Sequence, residues 1–176
     1  EIDADALCGV EAIVHLAGAN IAEKRWTKQR WEEIYSSRVA SAQFLYEKVK
    51  EGKIPLKSFI SSSAIGWYGA ATSEEVFTEE ADCADDVLGA LSMAWELAAD
   101  QFLDLGCSVS KVRTGIVLTN EGGALPKMTK PILMGIGSSL GSGKQYMPWI
   151  HLDDICAIYV QLLEQKLPSG IYNGVA

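Results

Sequence analysis

Short apolar runs that stop at small residues alternate along this chain with amphipathic stretches of helical length, and that alternation narrows the fold more than any single motif. Ala12-Ile13-Val14-His15-Leu16-Ala17 stops at Gly18 and fits a buried strand. Thr27 can cap a helix running to about Lys50, ended by Gly52 and Pro55, with Trp31, Tyr35, Arg38, Ala42, Leu45 and Val49 in one stripe. Ser58-Phe59-Ile60-Ser61-Ser62 reads as a second strand, and a long polar segment, 64–87, follows it. A second helix spans about Leu88 to Leu105, with Leu91, Trp95, Ala98, Phe102 and Leu105 on its apolar face and Gly106 closing it. Val109–Arg113 is a third strand, 125–134 a short helix around Pro131, and 148–151 a short strand. Asp153 or Asp154 then caps a helix through Leu163, and Ile171-Tyr172 begins another strand. Strands alternating with helices predict an α/β fold, a parallel sheet covered on both faces.

Composition limits what such a sheet can serve. A chain of 176 residues holds one domain with a sizeable core. No apolar run reaches the roughly eighteen residues of a membrane span, and the acidic start EIDADALCG is unlike a signal peptide. The net charge is −8 and no basic patch is visible, which argues against nucleic acid as a partner. The acids from Glu74 to Asp86 read as a solvated loop. Cys8, Cys83, Cys107 and Cys156 form no Cys-x-x-Cys pair, which suits a reducing compartment such as the cytoplasm. His15 and His151 lie far apart and no ligand cluster has metal-site spacing, so no metal is expected.

Ligands of parallel sheets bind beyond the carboxyl ends of the strands. Three such ends carry small residues that let a flat ligand approach the backbone: Ala17-Gly18-Ala19-Asn20, Ser61-Ser62-Ser63 and Arg113-Thr114-Gly115. Each has an ordinary reading too, since glycine is a common turn residue and serine clusters are mostly structural. Arg38 stands on an otherwise apolar stripe, where a guanidinium is either a structural partner or an anion contact. GIGSSLGSGK (135–144) misses the P-loop spacing, because Gln145 follows Lys144, and reads as a flexible loop.

In order, VHLAGAN, FISSSAIGWYG, VRTGIVL and GSGKQYMPWIHLDDI resemble the extended short-chain dehydrogenase/reductase superfamily. Within it, HLAGANIAEKRW, the SRV of the first long helix, SSSAIGWYG, WELAA, RTGIVL and GGALPKM resemble the NAD-dependent epimerase/dehydratase family, in a sugar-nucleotide-epimerase-like subfamily. The resemblance implies a Rossmann-like doubly wound sheet. It also implies that a strand, glycine turn and helix that hold the dinucleotide pyrophosphate would precede this chain, and that a substrate lobe would follow it. The expectation is therefore the middle of a protein of about 300 residues, whose cofactor grip is incomplete in this stretch alone.

Carried over by residue, the resemblance puts Ala17, Gly18 and Ala19 against the adenosine half of NADP or NAD. Ser61 and Ser62 fall near the nicotinamide ribose, and Thr114, Gly115 and Ile116 beneath the nicotinamide. Arg38 matches a subfamily arginine in the cofactor region. Ser63 matches the hydroxyl that bonds the substrate's reacting oxygen. His151 with Asp153 and Asp154 resembles a motif that seats the last helix. One part does not carry over. The superfamily's Tyr-x-x-x-Lys pair moves a proton and holds the ribose, but anchoring on Glu96 puts Leu88 and Ser92 at those positions. Tyr68 brings a phenol to the same region, as a substitute or as pocket wall. Lys127 and Lys144 either meet an anionic substrate or are simply solvated. Three functions remain open: an oxidoreductase or epimerase working by hydride transfer on a small-molecule substrate, a dinucleotide-binding regulatory module without turnover, or a plain structural domain whose sheet ends are filled by side chains. The resemblance also implies a homodimer through 27–50 and 88–105, faces that the sheet could equally consume.

Overall fold

The structure, a computed structural model, describes residues 4–70, 73–139 and 141–176. Strands β1 (Ala12–His15), β2 (Ser58–Ala64), β3 (Ser108–Thr114) and β7 (Ile171–Gly174) form one sheet in that order. All three pairings are parallel. A smaller sheet takes β5 (Gly122–Gly123), β4 (Ile116–Thr119) and β6 (Trp149–His151). The helices are α1 (Lys28–Ser36), α2 (Val39–Glu51), α3 (Val87–Asp100), α4 (Ala124–Leu133) and α5 (Leu152–Leu163).

Strand alternation divides the core in two. Phe59 and Val109 face α2 and α3, where they join Tyr46, Val49, Ala99, Phe102 and Cys107. Ile60 and Val112, one residue on, face the other way and pack with Ile150, Ile155 and Leu162. The sheet is thus covered on both faces, as its apolar strands require. Phe59 and Phe102 stack with centroids 3.7 Å apart. Each buried ring of this kind contributes about 1.5–3 kcal/mol.

The structure corrects the expected elements in three places. The helix expected over 27–50 is two helices broken at Ser37-Arg38. Thr27 does cap the first, its hydroxyl accepting from Arg30 N. The break rotates the buried face to Ile34, Ala42, Tyr46 and Val49, leaving Tyr35 exposed. The second long helix is α-helical to Asp100 and a 3-10 turn from Gln101 to Leu105, closed by Gly106 in a left-handed conformation. The cap of α5 is His151, whose Nδ1 accepts from Asp153 N, rather than Asp153 or Asp154. The apolar run after Arg113 crosses between sheets at Gly115: Gly115 N donates to Gly174 O, and Ile116 N to Pro148 O. A side chain on Gly115 would meet Val175 and Pro148 within 3.0 Å, so this crossing requires glycine.

Candidate functional site

Parallel pairing brings the three small-residue strand ends to one edge. His15 pairs with Ser61, Ser63 with Arg113, and Ala64 with Thr114. β1 ends at His15, and Gly18 follows three residues beyond the last paired position, against the Arg38 guanidinium. Ala17 and Gly18 are exposed there, and Ser62, Thr114, Gly115 and Ile116 are half-buried. The edge is a shelf of small residues at the carboxyl ends of neighbouring strands. Small residues there leave room for a flat ligand against the backbone, whereas Ser61 and Arg38, both expected near the cofactor, are buried. Ser62 and Thr114 also reach Tyr159 of α5; burial pushes that phenol's pKa up, and their hydrogen bonds oppose the shift.

Alternation gives the serines different surroundings. Ser61 is buried and its hydroxyl donates to Ser62 O. Ser63, expected to meet a substrate oxygen, is only 2% exposed, and its Oγ donates to Glu96 Oε1 at 2.7 Å. It lies beneath the shelf instead of on it, because β2 turns that side chain toward α3.

Glu96 anchors a buried polar network. Arg113 Nε reaches Glu96 Oε1 at 2.9 Å and Nη2 reaches Oε2 at 3.2 Å, a two-point ion pair. Both residues are almost fully buried, and Lys111 Nζ stands 3.8 Å from Glu96 while holding Asp100. The Arg113 guanidinium lies 3.8 Å over the Trp67 ring. Its Nη1 donates to Tyr68 Oη and to Glu79 O, each at 3.0 Å. Burial pulls the Arg113 pKa down, but hydrogen bonds to Glu96 and Tyr68 outweigh it, and the net shift is upward. Tyr68 Oη also lies 2.6 Å from Asn173 Oδ1 and 3.1 Å from Thr78 O. Glu79 Oε1 accepts from Asn173 N, which ties the acidic segment to β7.

Tyr68 opens onto a cleft of about 530 Å³. Ile65, Val76, Phe77, Tyr146, Pro148 and Asn173 are among its walls. Phe77 stacks on the Tyr68 ring, with centroids 5.0 Å apart. The phenol is therefore both cleft wall and polar group. Lys127 and Lys144 are exposed and do not line the cleft. Leu88 and Ser92 lie against Gly66, each about 3.3 Å from where its side chain would begin. The place of the expected Tyr-Lys pair is thus filled by an apolar group and a buried hydroxyl.

Arg38 is 8% exposed. Its Nη1 donates to Ala19 O and Ile34 O, and its guanidinium lies 4.9 Å over the Trp95 ring. Burial, then the Arg30 charge, pulls its pKa down. Of the two readings left open for it, a structural partner describes these contacts.

Sequence reasoning missed Glu79, Glu96, Arg113 and Asn173 as members of the site. Glu96 on the apolar face of α3 and Arg113 in an apolar strand were the available signal, since charges at such positions are rare unless paired. Among the described residues no group of three or more His, Cys, Asp or Glu could hold a metal. Among them, too, no helix is long and apolar enough to cross a membrane.

No family model matches the chain. An epimerase family protein of Mycobacterium bovis is 36% identical over 173 residues, covering 98% of this chain and 56% of that protein. A human epimerase family protein solved with NADPH has a TM-score of 0.83 at 31% identity, over 94% of this chain and 57% of the other. A nucleoside-diphosphate sugar epimerase from Corynebacterium glutamicum has a TM-score of 0.84 at 34% identity, over all of this chain and 36% of the other. The chain spans about half the length of the curated relatives it matches. The parallel sheet, covered on both faces, is Rossmann-like, as in these structures.

Proposed function

We propose that this chain, homologous to epimerase family proteins across nearly its whole length, forms the central and C-terminal part of a nicotinamide-binding domain in a protein of about 300 residues. The protein acts on a carbon bearing a hydroxyl, and a nucleoside-diphosphate sugar is the first substrate class to try. The observation that carries the reading is the Tyr68 phenol, fixed at the cleft beside the converged strand ends.

The shelf fits a dinucleotide because small, accessible residues occupy it. Ala17 and Gly18 would face the adenosine half, and Thr114, Gly115 and Ile116 would underlie the nicotinamide. NADP is favoured over NAD, supported by the NADPH in the human structure. The cofactor supplies or accepts the hydride. In the direction of carbonyl reduction, the Tyr68 hydroxyl turns its proton from Asn173 Oδ1 and gives it to the oxygen that gains charge. The resulting phenolate keeps Arg113 Nη1 as hydrogen-bond donor, and Glu96 holds that guanidinium in place. Ser63 acts one step back, by orienting Glu96.

One observation favours a second reading. Leu88 and Ser92 against Gly66 leave that side of the site without a proton carrier or cation, as a dinucleotide-binding regulatory module would. Titrating the intact protein with NADPH and NADH, then offering nucleoside-diphosphate sugars and simple carbonyls, separates the two. Turnover that falls about 10²-fold or more in Tyr68→Phe, with cofactor affinity kept, supports the enzyme. Cofactor binding without turnover of any of these compounds supports the module. Failure to bind either cofactor removes both.

A further inference from the structure

The α1–α2 break holds a second device. Its two residues take both backbone polar groups of one residue at the shelf: Ser37 Oγ accepts from Ala19 N at 2.8 Å, and Arg38 Nη1 donates to Ala19 O at 3.1 Å. Both side chains also donate to Ile34 O, at 3.0 Å each, so the pair is tied to one turn of α1. Arg30, itself buried, donates through Nη2 to the next carbonyl, Asn20 O. The Arg38 guanidinium is wedged between the Trp95 ring and Gly18, where an added side chain would start 2.9 Å from Cζ. A continuous helix would carry Ser37 and Arg38 as ordinary surface or core positions. The interruption is what lets two consecutive residues grip one backbone unit of a neighbouring strand end.

We propose that Ser37 and Arg38 are positioning residues that fix the Gly18–Asn20 backbone as the wall against which the adenosine of the cofactor rests. The inference rests on the cofactor reading above. Burying a guanidinium is costly, and a hydrophobic residue would fill the same space more cheaply. What the guanidinium adds is a fixed direction for Ala19 O, which its planar fork can give and a lysine ammonium cannot. Arg38 therefore acts through the backbone it holds, with no direct contact to the ligand.

The test compares Ser37→Ala, Arg38→Lys and Arg38→Met in the intact protein, measuring affinity for NADPH and for adenosine, which has no phosphate. Amide exchange at Ala19 is followed in the same samples. The expected result is a loss of about 3- to 10-fold in affinity for both ligands in Ser37→Ala and in Arg38→Lys, with faster exchange at Ala19. A direct anion contact would instead weaken NADPH alone in Arg38→Met and spare adenosine in all three variants; that pattern overturns the proposal. Unchanged affinity with only a lower melting temperature overturns it as well. A parent protein that binds neither NADPH nor NADH overturns the cofactor reading together with this proposal. Binding by the parent that Ser37→Ala leaves intact overturns this proposal alone.

Discussion

Removing Arg113 probes the buried network most sharply. In Arg113→Met the Glu96 carboxylate keeps the Ser63 hydroxyl at 2.7 Å but loses both guanidinium bonds, while remaining 3% exposed. Stranding one member of a buried ion pair costs about 3–5 kcal/mol. Lys111, 3.8 Å from Glu96 and already engaged with Asp100, offsets part of that charge. The expected loss therefore lies near the lower end, about 3 kcal/mol, or roughly 6–12 °C in melting temperature for a domain of this size. Replacing both partners, Arg113→Met with Glu96→Leu, removes the stranded charge and should recover all but about 1–2 kcal/mol. The remainder is the cost of the buried Ser63 hydroxyl, which has lost its acceptor. Urea unfolding of the parent, both single variants and the double variant, followed by circular dichroism and analysed as a cycle, gives the coupling. A single-variant loss below about 1 kcal/mol, or a double variant as unstable as the sum of the singles, would refute a coupled buried pair.

Two further outcomes follow from the packing. Burial holds the His15 imidazole below its ordinary value of 6.5. Its Nε2 meets Ser41, whose hydroxyl already donates to Ser37 O and Arg38 O, and its Nδ1 has no partner. The unfolded chain thus takes up the proton first as pH falls. The stability from neutral His15 is full above about 6.5 and is lost as pH drops through the folded value. The urea midpoint should fall more between about pH 7.5 and about pH 5.5 in the parent than in His15→Gln; equal slopes would contradict this. Gly89→Ala, on the first turn of α3, would place a methyl carbon 2.0 Å from Ala84 O. Helix propensity favours alanine by about 1 kcal/mol, but displacing that carbonyl costs more, so the melting temperature should drop; a rise would mean that the loop yields freely.

The fold was legible where local physics decides it. The runs at 12–17, 58–62 and 109–113 state their burial in their own composition, and the shelf follows once such strands pair in parallel. The break at Ser37-Arg38 was hidden because neither residue is a helix breaker. The contacts that go with it lie elsewhere in the chain, at Ala19 and Trp95. The crossing at Gly115 was equally silent, since the strand was read only over Val109–Arg113 and nothing beyond it marks a change of sheet. Only the approach of Val175 and Pro148 shows why glycine stands there. At the site, family pattern located Ser63 in the chain but could not say which face of β2 it takes. Tyr68 was visible as a phenol near the strand end; its hold on Arg113 and Asn173 spans 45 and 105 residues of sequence and needed the folded chain.

The most direct measurement is a crystal structure of the intact protein with NADPH. The expected result has the adenosine half against Ala17-Gly18, the nicotinamide over Thr114-Gly115, and the Tyr68 hydroxyl facing the reactive carbon across the cleft. A dinucleotide bound away from these strand ends, or a nicotinamide screened from Tyr68, would contradict it.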